Sequence, residues 1–217
     1  MTPENKAAEG HQETDPNVIH GPDAVGYPER LERVSGIVLP PLLEEFGAET
    51  ISPSNYRDEL TISVPSKNLL EVIRFLKEHP SLRFAMLKDV TAVDWFRRRE
   101  RFQINYNLYS LENRLRVRVR TFTEESDPHV ESMTGLFRSA DWYEREVYDM
   151  HGIIFDNHPD LRRMYMPEDF VDPETGEPLY PLRKDFPVMG VPGSLPLPER
   201  EITRDVETGI NHGVAHK

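Results

Sequence analysis

The amino-acid sequence predicts an α+β fold: a mixed or antiparallel sheet of about four strands with helices packed on one face, followed by an extended, proline-rich C-terminal arm. Helix-type and strand-type patterns follow one another in the order helix, strand, helix and then several strands. Apolar residues alternate with polar residues through the central third, as in half-buried strands. Nine prolines between Pro159 and Pro198 leave no room for long regular elements.

The first predicted helix lies within residues 31–46, where the apolar residues are spaced for one helical face and Gly47 is a natural end. These residues are Leu31, Val34, Val38, Leu42 and Phe46. Pro40 and Pro41 lack the backbone N–H that a helix interior uses, so we expect the helix to break or restart there. Residues 1–29 are polar and without periodicity, which predicts a disordered or loosely ordered tail.

A strand and a second helix follow. Leu60, Ile62 and Val64 alternate with polar residues, which predicts a half-buried strand that ends at Pro65. Ser66 is placed to cap a helix that His79 and Pro80 close. The apolar residues of that helix are Leu69, Leu70, Ile73 and Leu76.

Three further strands are predicted in the middle of the chain. Residues 84–93 form an apolar, partly β-branched run, and the alternating residues 102–108 and 115–119 predict an antiparallel hairpin around a short polar loop. Arginines occupy every second position of its second strand, at Arg114, Arg116, Arg118 and Arg120. Because strand side chains alternate, these arginines share the face of the sheet opposite the apolar residues. We expect that face to contact solvent or an acidic partner.

Two more helices complete the prediction: a short one between Val130 and Phe137, and one that Ser139 or Asp141 caps, that runs to Met150 and that Gly152 ends. The chain is therefore divided into four parts. They are the N-terminal tail 1–29, a core domain 30–140, the last helix and a docking arm 141–187, and a polar C-terminal tail 188–217.

Composition limits the classes of function. The formal net charge of −12 repels phosphate backbones and anionic lipid, so we expect no nucleic-acid partner and only indirect membrane contact. The absence of cysteine excludes disulfides, thiolate zinc sites and iron–sulfur clusters held by cysteines of this chain. No apolar run approaches the roughly 20 residues of a membrane-spanning helix, and the N-terminus has neither a secretory nor a transit pattern, so a cytoplasmic location is expected.

Familiar catalytic motifs are also missing from the sequence. There is no GxGxxG, GxxxxGK, HExxH or GxSxG, so no nucleotide fingerprint and no common hydrolase or zinc-protease site is expected. We therefore predict no catalytic, cofactor-binding or metal-binding residue in this chain.

Acids, histidines and arginines are dense between residues 141 and 187. Glu144 and Glu146 could serve as a general acid and base, but residues two apart on a helix do not face each other. Asp149, His151 and His158 could be metal ligands, but they lie across a glycine and a turn. We expect instead that His158 is a turn residue hydrogen-bonded to its surroundings.

The same stretch has two further features. Arg145 and Asp149 are one helical turn apart and can pair, whereas Tyr143, Val147 and Met150 can share a buried face. The cations of the arm, Arg162, Arg163, Arg183 and Lys184, are interspersed with leucine, methionine, tyrosine and proline. Such an arm has little core of its own and is predicted to dock on a partner.

A series of ordered motifs carries a family resemblance. An acid-Arg-acid triplet is followed by an acid three residues on, a downstream histidine and an arginine four residues past it, here at Glu144, Arg145, Glu146, Asp149, His158 and Arg162. With the neighbouring blocks HPDLRR, MPED and PLRKDFP, this stretch resembles the 30 kDa, or C, subunit family of respiratory complex I, NADH:quinone oxidoreductase. His151 departs from the bulky apolar or aromatic residue usual in that family.

The resemblance implies a noncatalytic structural subunit of the peripheral arm, on the cytoplasmic side of the bacterial inner membrane. NADH, FMN, iron–sulfur clusters and quinone would then belong to other subunits. The implied partners are the quinone-pocket subunit (the D-type, or 49 kDa, subunit) and cluster-bearing neighbours. Two alternatives stay open: the equivalent subunit of a membrane-bound hydrogenase or another complex I relative, and an autonomous acid/base enzyme using Glu144, Glu146 and His158.

Overall fold

The structure is a computed structural model that describes residues 28–56, 59–187, 190, 202–204 and 211–213. Residues 28–30, 202–204 and 211–213 are described by their backbone only. The described residues form an α+β fold around a five-stranded sheet. The helices are α1 (Pro28–Phe46), α2 (Leu69–Glu78) and α3 (Ala140–His151). The strands are β1 (Ser52–Tyr56), β2 (Glu59–Ser63), β3 (Met86–Asp94), β4 (Phe102–Ser110), β5 (Leu115–Thr123), β6 (His129–Glu131), β7 (Ile154–Asp156), β8 (Ile202–Arg204) and β9 (Asn211–Gly213).

The strand order of the main sheet is β1-β2-β5-β4-β3. β2 pairs in parallel with β5 and the other neighbours are antiparallel, which confirms the α+β class and the mixed sheet. The predicted hairpin is β4 and β5, with Tyr106 opposite Val119. The sheet has five strands rather than about four, because the polar edge strand β1 has no apolar alternation and contains Pro53.

One face of the sheet carries the core. The alternate positions Phe102, Ile104, Tyr106 and Leu108 of β4 are buried, as are their neighbours on β2, β3 and β5. Side chains of all three helices join them in one apolar cluster. The helical members are Val34, Val38, Leu42, Leu69, Val72, Ile73, Leu76, Ala140 and Val147.

Helix α1 continues through Pro40 and Pro41, so the expected break is wrong. An interior proline costs about 3 kcal/mol through its missing hydrogen bond and its ring clash. Packing on both sides of the prolines offsets that cost, because Val38 and Leu42 are completely buried in the core. Gly47 has a left-handed φ of 74° and follows the last helical residue, as expected.

The predicted short helix between Val130 and Phe137 is also wrong. The segment starts with strand β6, which pairs in parallel with β7, and continues in turns. Strand pairing prevails because Val130 enters the core and the backbone N–H of Met133 is taken by the carboxylate of Glu144.

The residues after β7 form turns, and within residues 157–187 an isolated bridge pairs Val171 with Pro178. Of the predicted tails, residues 1–27 and most of 188–217 lie outside the described residues, and the backbone of β8 pairs with that of β9. None of the described helices has the length and apolarity to cross a bilayer.

Candidate functional site

Two sides of helix α3 pack against different parts of the chain. One side turns Ala140, Glu144, Val147 and His151 inward, at a spacing of three and four residues. Tyr143 and Met150, expected on the buried face, are only half buried. On the other side, Arg145 and Asp149 are buried under the chain that follows β7. Glu146 is exposed between them.

Glu144 is completely buried. Its carboxylate accepts hydrogen bonds from the Ser132 hydroxyl at 2.6 Å and the Met133 amide at 2.7 Å. Burial raises the pKa of Glu144 to about 7, against these two hydrogen bonds and with a further rise from the charge of Asp141. Glu144 therefore fixes the turn after β6 to the inner side of α3.

The side chain of His158 is also buried, as a turn residue hydrogen-bonded to its surroundings. Its Nδ1 accepts a hydrogen bond from the Asp160 amide, so the neutral ring carries its proton on Nε2. That Nε2 donates to the carbonyl of Asp141 at 3.2 Å and lies 4.0 Å from the Glu144 carboxylate. The ring thus joins the chain after β7 to the start of α3.

Arg145 does not pair with Asp149, which corrects that expectation. Its guanidinium donates to the carbonyls of Arg162 and Arg163, and it stacks on the Trp142 ring at 5.0 Å. These bonds hold the arm, which is the chain that follows β7 as far as residue 187, along α3.

Asp149 links α3 to the arm through four hydrogen bonds to its carboxylate. One carboxylate oxygen accepts three backbone N–H groups, from Met164, Tyr165 and Met166, at 2.6–3.0 Å. The other accepts from Arg163 at 3.0 Å. Burial acts to raise the pKa of Asp149, but these donors outweigh it and the pKa lies below its ordinary value.

Asp94 and Arg101 hold the end of the arm and were not predicted from the sequence. They form a buried ion pair at 2.7 Å where β3 and β4 meet. Asp94 also accepts the Lys184 amide, and Arg101 contacts Asp185 at 2.9 Å. Burial opposes ionisation, but the Arg101 bond lowers the pKa of Asp94 to about 2. Hairpin geometry could have indicated the pair, because residues flanking a hairpin loop lie side by side.

Gly152 ends α3 with a φ of 76°, as predicted, and the arm crosses directly over it. The position a Cβ would take is 2.5 Å from the Tyr180 ring and 2.7 Å from the guanidinium of Arg183. Arg183 donates to the His151 carbonyl at 2.6 Å. Burial lowers the pKa of His151 to about 4, and its Nδ1 has no hydrogen-bond partner among the described residues.

Arg163 and Arg183 of the arm are therefore bonded to groups within the chain, whereas other side chains of the arm are exposed to solvent. The exposed residues of α3 and the adjoining arm include a set called here the α3–arm surface, namely Trp142, Glu146, Arg162, Tyr165, Leu182 and Lys184. Tyr165 and Leu182 are anchored to the last turn of α3 by their backbone N–H groups. Three large side chains, Trp142, Tyr165 and Leu182, are 56–60% exposed. Large apolar side chains that are this exposed are typical of an interaction surface.

Glu144 and Glu146, the candidate general acid and base, lie in different environments. Glu144 is buried on one side of α3 and Glu146 is exposed, so the two carboxylates do not face a common space. Among the residues that the structure describes, no group of three or more histidines and carboxylates is arranged to hold a metal ion.

Similarity to known proteins identifies the family. The family model "Respiratory-chain NADH dehydrogenase, 30 Kd subunit" matches residues 62–192. The C-type subunit of the NADH-quinone oxidoreductase from Geobacter sulfurreducens is 41% identical over 150 residues, which span 69% of this chain and 87% of that protein.

Two solved structures are also similar. One is the trypsin-resistant fragment of Nqo5, with 34% identity and a TM-score of 0.51 over 57% of this chain and 99% of the fragment. The other is a chain of an archaeal membrane-bound sulfane sulfur reductase, with 27% identity and a TM-score of 0.54 over 70% of this chain and 85% of that one. On the family match and these similarities, the chain belongs to the 30 kDa subunit family of the respiratory-chain NADH dehydrogenases.

Proposed function

We propose that this chain is a noncatalytic structural subunit of the peripheral arm of a proton-translocating NADH:quinone oxidoreductase. Its partners are the quinone-pocket subunit and cluster-bearing neighbours, on the cytoplasmic side of the bacterial inner membrane. NADH, FMN, iron–sulfur clusters and quinone are handled by those other subunits, and this chain has no cysteine to offer a cluster.

The α3–arm surface is the observation that supports this role best. Arg145 and Arg163 are already bonded within the chain. The arm is therefore held in place before any partner binds. The outward side chains include the aromatic Tyr165 and the apolar Leu182, which are both more than half exposed. A preorganised surface of this kind binds a neighbour without a large ordering cost.

Copurification from membranes tests the proposal. The full chain with an affinity tag is isolated from detergent-solubilised membranes, and the retained proteins are identified by mass spectrometry. We expect a quinone-pocket subunit, cluster-bearing subunits and NADH oxidation coupled to quinone reduction. The proposal would be contradicted if the chain were recovered alone from membranes in which the oxidoreductase is intact and active.

A second assignment is the equivalent subunit of another membrane-bound complex related to complex I, such as a hydrogenase. It is supported by the likeness to the sulfane sulfur reductase chain, at 27% identity and a TM-score of 0.54. In the same copurification, nickel-bearing subunits without an NADH-binding flavoprotein would support it.

A further inference from the structure

The face of the sheet opposite the core carries polar side chains. No described helix packs on it, since α1, α2 and α3 all join the core on the other side. Its middle is formed by alternate residues of β5, namely Arg116, Arg118 and Arg120, and by their partners on β4, namely Tyr109, Asn107 and Asn105. We call this the open sheet face. It lies on the opposite side of the sheet from α3.

The three arginines form a row with a regular period. Alternate side chains of a strand are about 6.7 Å apart along it, so guanidinium groups recur at that interval. Alternate side chains of an extended polypeptide have the same interval. Three arginines in this row therefore match an extended segment with a carboxylate at every second residue.

The row is held in position by neighbouring side chains. Arg118 donates to Asn107 at 3.1 Å and to Glu59 at 2.6 Å, and Arg120 donates to Ser63 at 2.7 Å. Arg116 lies over the Tyr109 ring, with 6.0 Å from its guanidinium carbon to the ring centroid. A guanidinium has five N–H donors, so the two bonds of Arg118 leave donors for a ligand.

Charge and shape favour an acidic occupant. A depression on this face is lined by Lys88, Arg116 and Arg118 together with the two carboxylates Glu59 and Asp89. Cations thus prevail locally in a chain whose formal net charge is −12. Acidic groups are repelled by the rest of the molecule and attracted to this face.

The rim and the size of the face are those of a protein interface. Tyr56 and Met86 lie at opposite edges and are 46% and 45% exposed, and Val93 is 38% exposed. Strands β3, β4 and β5 have nine residues and extend about 30 Å, whereas β1 and β2 have five residues and extend about 17 Å, so the face measures roughly 500 Å² at about 4.8 Å between strands. One partner of a standard interface contributes about 800 Å², so the face is large enough for much of one.

We propose that the open sheet face binds an extended acidic segment of another protein, with alternate Asp or Glu side chains on the arginine row of β5. This site is separate from the α3–arm surface and does not depend on the function proposed above. It gives the chain a second interface, so that the chain can bridge two neighbours.

Peptide binding to the full 217-residue chain tests the proposal. The probe is a fluorescein-labelled peptide of about ten alternating Glu and Thr residues, and its control has the same composition with all Glu residues in one block. Binding is followed by fluorescence anisotropy at low and at raised salt. The test variant is Arg116→Glu, because Arg116 is exposed and its replacement leaves the core intact. The matched control is Arg74→Glu, an identical charge change at an exposed position of α2.

The alternating peptide should bind the parent chain and Arg74→Glu equally, and Arg116→Glu about tenfold more weakly, with affinity falling as salt rises. The block peptide should bind more weakly than the alternating one. Absence of saturable binding, equal affinity of both peptides, or equal loss in both variants would overturn the proposal. So would tighter binding of a single-stranded oligonucleotide than of the alternating peptide.

Discussion

The carboxylate of Asp149 and the guanidinium of Arg163 meet at 3.0 Å, with 0% and 8% of the two side chains exposed to solvent. The last turn of α3 and the arm are therefore joined by a buried ion pair. Because three backbone N–H groups bind the same carboxylate, the arm is part of the folded chain at this point.

Replacement of Asp149 by Asn tests this link. The substitution keeps the shape but leaves the buried Arg163 charge without its partner, so we expect the free energy of unfolding to fall by about 3 kcal/mol. Urea unfolding measures the change. Glu146→Gln, at an exposed position one turn earlier, should change it by less than about 0.5 kcal/mol. Equal effects of the two variants would mean that the ion pair does not hold the arm.

Glu144 makes stability depend on pH. Its pKa is about 7 in the folded chain against 4.5 ordinarily, so the folded state binds this proton more tightly than the unfolded state. Stability from Glu144 is therefore fully present below about pH 4.5 and is lost as the pH rises to about 7, by on the order of 3 kcal/mol. His151 acts in the opposite direction at acidic pH, because its folded pKa of about 4 lies below its ordinary 6.5.

The difference between the parent and Glu144→Gln isolates the carboxyl from His151. Glutamine cannot ionise, so the variant should become more stable relative to the parent as the pH is raised from about 5 to about 8. Urea unfolding at several pH values measures this. A difference in unfolding free energy that stays constant over that range would show that Glu144 has an ordinary pKa.

His151→Phe should stabilise the chain. The buried imidazole has an Nδ1 without a partner among the described residues, and an unsatisfied buried polar group costs about 1–3 kcal/mol. We expect a gain of about 1 kcal/mol at neutral pH. The gain should be larger near pH 5, where the unfolded parent takes up a proton that the folded parent binds poorly. A lower melting temperature than the parent at both pH values would contradict this account.

Gly152→Ala should release the end of the arm. A Cβ at this position would overlap the Tyr180 ring and the Arg183 guanidinium, in addition to the strain of a φ of 76°. Gly176→Ala is a matched control, because its φ of 74° brings a similar strain of about 1 kcal/mol but nothing lies within 4 Å. We expect trypsin to cleave after Arg183 and Lys184 faster in Gly152→Ala only. Equal cleavage in both variants would mean that the close approach does not hold the arm.

Local patterns explain which parts of the fold could be predicted. The β4–β5 hairpin and the end of α3 at Gly152 follow from alternation and from glycine chemistry within a few residues. Strand β1 escaped prediction because an edge strand needs no apolar alternation, and α1 continues through Pro40 because distant packing offsets a local cost.

The sequence indicated several residues of the candidate site, but it did not indicate which groups these residues contact. The helical rule paired Arg145 with Asp149, whereas both face the arm and bind groups 14–18 residues away. The Asp94 and Arg101 pair binds Lys184 and Asp185, some 84–90 residues further on. No local pattern carries contacts of that separation.

Partner recovery with a substituted α3–arm surface tests the central claim most directly. Tyr165→Ala with Leu182→Ala removes two exposed side chains and leaves Trp142, which stacks on Arg145. The control removes the exposed Leu43 and Leu111 elsewhere. In quantitative mass spectrometry after copurification from membranes, the first variant should lose most of the neighbouring subunits while its unfolding free energy stays within about 1 kcal/mol of the parent. Recovery of the neighbours at the same level as with the control would contradict the account.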